Sequence, residues 1–187
     1  WLKKLRQLQK RSVRTQKRIF AGEGRRLLHE AMQTLPKGEA LHSIHFVIHV
    51  PEWGSTPESK EILAEIKKQN IPCDTISTRF FANHSATESP QGVLFVGQMV
   101  DESFASWKPK SGDVILVADS VQDPGNVGTM IRSAFASGCS AFLATRGTVD
   151  LYNPKVVRSS AGAIFHLPTF TELGFSEIAD KADKSGL

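Results

Sequence analysis

The raw material for several common functions is missing from this chain. Its 187 residues include only two cysteines, Cys73 and Cys139, and neither has a neighbour at a metal-ligand spacing. They read as reduced structural thiols of an intracellular, cytoplasmic protein. No apolar run approaches membrane-spanning length, and Trp1–Lys10 (WLKKLRQLQK) lacks the continuous apolar centre of a signal peptide, so no membrane partner is expected. Internal repeats and low-complexity tracts are absent, as are the G-x-G-x-x-G and G-K-[ST] spacings of nucleotide-binding loops. His42, His45 and His49 cluster, yet His45 and His49 on a strand stand roughly 13 Å apart, too far to share one metal, so no metal site is expected. His84 and His166 have no evident partner. Phe80 and Phe81 read as core aromatics before they read as stacking platforms.

What is present belongs to a soluble α/β chain. A hydrophobic content of 40% can build one or two modest cores, and 22% of residues are charged. The positive charge is concentrated at one end: residues 1–26 hold ten Lys or Arg against one acid, Glu23, although the whole chain is only +4. Placed on a single helix, the eight basic residues from Lys3 to Arg18 span an arc of roughly 160°, opposite Trp1, Leu2, Leu5, Leu8, Val13, Ile19 and Phe20. One wet cationic face and one packed face suit contact with a phosphate backbone, which gives affinity and salt dependence but no sequence readout.

Two halves follow from the pattern. The first carries a strand near Ile19–Glu23, a helix over Gly24–Leu35, a strand over Ser43–Val50 (SIHFVIHV), a helix over Pro57–Asn70, and short elements at Cys73–Ile76, Ser77–His84 and Gln91–Val96. Residues 1–98 therefore read as one domain and 99–112, with Lys108, Pro109, Lys110 and Gly112, as a linker. Residues 113–187 alternate strand and helix, which predicts a parallel sheet covered by helices. Their last helix is expected over Thr171–Lys184.

The most informative segment opens that second half. Asp113–Asp119 (DVILVAD) has strand character, and Gln122–Gly138 (QDPGNVGTMIRSAFASG) follows it directly. Pro124 and Gly125 force a turn, and Asn126 is placed to cap a helix. Val127, Ile131, Ala134 and Gly138 form the sheet-facing stripe, with Arg132 off it. An arginine beside a strand-end crevice and unpaired helix N–H groups suits an anionic ligand. The same four residues Asp-Pro-Gly-Asn also make an ordinary turn and cap.

The full pattern D-P-x-N-x-G-x-x-x-R-x-A-x-x-x-G resembles the first signature of the SpoU (TrmH-type) RNA ribose methyltransferases of the SPOUT superfamily. Asn153–Pro168 (NPKVVRSSAGAIFHLP) is similar to the segment that follows in that family. Arg18–Ala31 and Ser89–Val96 resemble, more loosely, the first and last elements of the family's substrate-binding domain. The resemblance implies a small α/β domain of kink-turn ribosomal-protein type joined to a parallel-sheet SPOUT domain. It also implies methyl transfer from S-adenosylmethionine to a ribose 2′-hydroxyl of ribosomal or transfer RNA, ribosomal RNA being favoured, by a homodimer. It places Asn126 and Arg132 at the reaction centre. A guanidinium, whose pKa exceeds roughly 12, is rarely neutral, so Arg132 reads as an electrostatic clamp and Asn126 as a group that fixes the loop or the hydroxyl.

Candidate RNA contacts are Lys10, Arg11, Arg14, Lys17, Arg18, Arg25 and, from the second block, Arg158. Two later family signatures, resembling G-x-E-x-x-G and I-P-x-x-G with S-L-N, do not occur before Leu187. The expectation is a piece of a longer protein, beginning without an initiator Met and lacking the knot and the cofactor pocket, and inactive by itself. A noncatalytic module for structured RNA remains the alternative, followed by a nucleotide enzyme using Asp123–Gly128 as a phosphate cradle.

Overall fold

The computed structural model describes residues 2–34, 44–85, 87, 89–100 and 103–186. Trp1, Leu35, His42 and the side chains of Leu2, Lys3 and Lys4, used in the sequence reading, lie outside the described residues. The chain divides into two compact units, Trp1–Val100 and Asp101–Leu187.

The first unit runs α1 (Leu2–Gln7), α2 (Arg11–Lys17), β1 (Ile19–Glu23), α3 (Arg25–Thr34), β2 (Ile44–His49), α4 (Pro51–Gly54), α5 (Pro57–Lys68), β3 (Cys73–Thr75), α6 (Thr78–Ala82) and β4 (Val93–Gln98). Its sheet has the order β1-β4-β2-β3, antiparallel except where β3 pairs parallel to β2. Both faces of β2 are covered, so Val47 is as buried as Phe46 and Ile48. His49 is buried too, bonded through Nδ1 to Val50 O at 2.9 Å and through Nε2 to Thr75 Oγ1 at 3.2 Å, while His45 pairs with Gln98 at 3.0 Å. Phe81 belongs to the core, but Phe80 is exposed and stacked on His84, a correction to the paired-core reading. The lone acid of the basic stretch is structural. Glu23 is buried and accepts from Ser85 Oγ, Thr87 Oγ1 and the Gln91 N–H, which ties down the approach to β4.

The single basic helix expected at the start is broken. Lys10 is extended, and Arg18 ends α2 in the left-handed region at φ 55°. Leu5 and Leu8 are buried as the apolar face requires. Arg14, however, turns inward: it is 2% exposed, and its Nη1 donates to the carbonyls of Leu8 at 2.6 Å and Gln9 at 2.9 Å. Those are carbonyls freed where α1 stops, and a guanidinium fork satisfies them. Arg14 therefore leaves the group of candidate RNA contacts.

The second unit runs β5 (Ile115–Ala118), α7 (Pro124–Ala136), β6 (Ala141–Thr145), α8 (Pro154–Ser159), a short 3-10 turn at Ala163–Phe165, β7 (Thr169–Leu173) and α9 (Phe175–Ser185). The sheet is parallel throughout, in the order β5-β6-β7. The expected helix from Thr171 starts later: Thr171–Leu173 is the end of β7, which pairs with β6 through Thr169, Phe170 and Leu173, and Gly174 separates strand from helix. Part of the expected linker is core as well. Phe104 is buried against Leu143, Phe170 and Leu173, Trp107 packs beside it, and Lys181 Nζ donates to the Phe104 and Ala105 carbonyls.

Two outcomes follow from these contacts. Arg14→Ala should lower stability by about 2–3 kcal/mol through two orphaned carbonyls, whereas exposed Lys17→Ala should stay within about 0.5 kcal/mol, as read by urea unfolding. The Cys73 thiol is pushed up to about 11 by burial, with the Asp74 carboxylate adding to the shift. It should alkylate slowly at pH 8 and accelerate as the pH climbs toward that value, because the thiolate is the nucleophile.

Candidate active site

The site is built on the crossover from β5 to β6. β5 ends at Ala118, and the chain turns at the carboxyl edge of the parallel sheet, the place where open α/β sheets bind ligands. Polar bonds fasten that edge. Thr145 Oγ1 donates to Asp119 Oδ1 at 2.6 Å and accepts from the Ser120 N–H at 3.0 Å. Thr148 Oγ1 donates to the Ala118 carbonyl at 3.1 Å, and the Val149 N–H to the Val121 carbonyl at 2.9 Å. The loops after β5 and β6 are thus held together, which the sequence reading did not anticipate. No periodicity encodes these pairs.

α7 begins three residues earlier than expected. Its cap is Asp123, whose carboxylate accepts from the Asn126 N–H at 2.7 Å, and Pro124 and Gly125 are the first helical residues. Both Asp and Asn are strong caps, but a proline prefers the first helical position, so the residue before Pro124 takes the role. Asn126 is corrected from cap to third helical residue, and its carboxamide is left for other work. Val127, Ile131 and Ala134 are buried along the sheet, as the stripe requires. Gly138 is corrected from the stripe to the exit: the helix stops at Ala136, and Gly138 takes φ 76° beyond it.

Gly128 is the closest joint in the unit. A Cβ there would stand 2.4 Å from Ser159 Cβ and 2.6 Å from the Val156 carbonyl oxygen. Only a residue with no side chain lets α8 lie this near to α7. The glycine of the signature therefore has a packing cause.

Both residues assigned to the reaction centre are exposed on α7, and neither side chain bonds another described residue. Asn126 and Arg132 are separated by roughly 120° around the helix and about 9 Å along it, so they do not touch but flank a common solvent-facing quadrant. Arg158 is exposed on α8 in the same unit. In the first unit Lys10, Arg11, Lys17 and Arg25 are exposed and Arg18 is half-buried. Arg25 also borders a groove of about 590 Å³ between α3 and α5, with Arg26 and His29 on its side and Glu58, Glu61 and Glu65 opposite. Among the described residues no group of three or more His, Cys, Asp or Glu is arranged to hold a metal ion, and no helix is long and apolar enough to cross a membrane.

Comparison with known proteins places this geometry in a family. Residues 113–187 match the SpoU rRNA Methylase family, and residues 1–94 match the MRM3-like substrate binding domain. The chain belongs to the SpoU methylase family. It is 33% identical over 167 residues to the 23S rRNA (guanosine(2553)-2′-O)-methyltransferase RlmP of Bacillus subtilis, covering 89% of this chain and 60% of that protein. It is 30% identical over 154 residues to rRNA methyltransferase 3, mitochondrial, of Xenopus laevis, covering 81% of this chain and 34% of that protein. A crystal structure of an RNA 2′-O ribose methyltransferase superposes with a TM-score of 0.81 at 30% identity, over 100% of this chain and 67% of that one. The chain thus spans between about a third and three fifths of the length of these two curated relatives.

The joint at Gly128 can be tested directly. Gly128→Ala should force α7 and α8 apart and cost about 1–3 kcal/mol, since the obstacle includes backbone that cannot rotate aside. Urea unfolding followed by tryptophan fluorescence measures it.

Proposed function

We propose that the protein is an RNA methyltransferase that modifies a ribose 2′-hydroxyl of ribosomal RNA, with S-adenosylmethionine as methyl donor. Membership of the SpoU family together with an exposed Asn126 near the carboxyl edge of a parallel sheet and an exposed Arg132 farther along α7 carries this reading. The relatives that support it are named as rRNA methyltransferases, and one modifies a guanosine 2′-oxygen.

The chemical obstacle is the hydroxyl. It must lose its proton as the methyl arrives, and the developing negative charge needs a partner. Arg132 supplies a fixed positive charge with planar donors, and as a guanidinium it stabilises the alkoxide better than it accepts a proton. The Asn126 carboxamide, released from capping by Asp123, can both donate to and accept from the ribose. S-adenosylmethionine supplies an electrophilic methyl on a sulfonium. In this chain the exposed Asp119 carboxylate and the Ser120 hydroxyl are acceptors of a kind that fits its amino and hydroxyl groups. No residue here is assigned to its adenine.

The first unit holds the RNA in this reading. Lys10, Arg11, Lys17, Arg18 and Arg25 would contact phosphates and Arg14 would shape the turn behind them, in keeping with the substrate-binding match over residues 1–94. We further infer a cytoplasmic homodimer. The free cysteines are in keeping with the compartment, and the family resemblance with the dimer.

Arg132→Lys tests the assignment in the intact protein. It should lower kcat by roughly 100-fold or more while RNA affinity changes little, because one planar donor to the reacting oxygen is lost. Undiminished methylation removes Arg132 from the mechanism. Mass mapping of ribose methylation in RNA from cells lacking the gene should show one site lost, and RNA binding without any such site would favour a binding module.

A further inference from the structure

The α7–α8 joint brings one more cation to the site than the sequence reading named. Lys155 stands at the start of α8, its N–H bonded to Asn153 Oδ1 at 2.9 Å. Its side chain crosses the first turn of α7, where a Cβ on Gly125 would lie 3.8 Å from Lys155 Cε. Such a placement is electrostatically unfavourable in isolation, since the first turn of a helix already carries positive partial charge. The cap Asp123 is the one acid at that turn, its Oδ1 lying 3.0 Å from the same Cβ position, yet no ion pair joins Lys155 to it or to any other described residue.

The register of the two helices keeps the lysine there. Ser159 meets Gly128, and Lys155, four residues before Ser159, lies on nearly the same line of α8, as Gly125 lies near that of Gly128 on α7. Arg132, four residues beyond Gly128, borders this line too. Helical side chains lean toward the N-terminus of their own helix, so Arg132 leans back along α7 in the direction of Gly125. Arg158, three residues after Lys155, lies roughly 60° from it and roughly 100° from Ser159 around α8, on the flank of that line. Lys155 and Arg132 thus border one edge, neither of them in an ion pair with a described residue, so both are open to an external anion.

We propose that Lys155 is a substrate-binding residue that holds a backbone phosphate of the RNA beside the target ribose, leaving Arg132 free for the reacting oxygen. The inference rests on the methyltransferase reading above. A lysine suits the role because it acts as a point charge on phosphate and tolerates several approach angles. It would add affinity without sequence preference.

The experiment measures steady-state methylation and RNA binding of Lys155→Ala, Lys155→Gln and Lys155→Arg in the intact protein. Lys155 is exposed, so the folds should survive, and two neutral variants guard against one failing. For Ala and Gln the KM for RNA should rise about tenfold with kcat within about twofold, and the slope of log affinity against log salt should fall by about one. Arg should retain most of the affinity. Unchanged RNA affinity and salt slope in an active enzyme overturn the inference alone. So does a rise confined to the KM for S-adenosylmethionine, which would assign the lysine to the donor's carboxylate. A wild-type protein that methylates no RNA overturns the reading and the inference together.

Discussion

The close approach of α8 to α7 at Gly128 is the constraint on which the candidate site depends. One face of α7 is already committed, because Val127, Ile131 and Ala134 are buried on the sheet. A second is committed at Gly128, where α8 leaves no space for a side chain. Rotating α7 to hide Arg132 would expose three apolar residues and drive the Gly128 position into or away from Ser159. The solvent-facing position of Arg132 and Asn126 is therefore a consequence of packing on two other faces. Function at this site needs only that whatever is left over be chemically useful.

Much of this was legible in the sequence because it depends on local rules. A strand with a continuous apolar run and a stripe at helical spacing specify β5 and the body of α7 almost without tertiary information. The cap was misplaced by three residues because Asn126 and Asp123 are chemically alike and only the Pro124 position separates them. Lys155 escaped notice for a different reason. Its nearness to Gly125 is set by the α7–α8 register, and nothing in a linear spacing of thirty residues announces that contact.

The errors in the remainder share a physical source. A helical wheel drawn through Lys3–Arg18 assumes one unbroken axis, so it cannot see that the chain stops at Leu8–Lys10 and that a basic residue is then needed inside to satisfy the loose carbonyls. Arg14 looks like part of a cationic face by spacing and acts as a buried bracket by geometry. Phe104 and Trp107 present the reverse case: proline, lysine and glycine nearby suggest a spacer, while Phe104 buries on the face of a small sheet and Trp107 packs half-buried beside it. Composition over a window averages away the one or two side chains that decide such cases.

Exposure of Arg132 also shapes how it can act. In water a fixed charge stabilises a developing alkoxide weakly, since the surrounding dielectric screens the pair to about 1 kcal/mol at 4 Å. The same charge is worth several times more once solvent is displaced. No described element of the second unit covers Arg132, and in the proposed reaction the RNA that binds over it displaces the solvent. An RNA phosphate on Lys155 would bring the neighbouring ribose down onto α7 and exclude water from the very quadrant that Asn126 and Arg132 flank. Binding and activation then become one event: the polynucleotide that presents the hydroxyl also lowers the dielectric in which the guanidinium works. A free nucleoside, with no backbone to anchor, would leave the site wet and the charge screened, which gives a physical reason for an exposed arginine to serve a polymer and not a monomer.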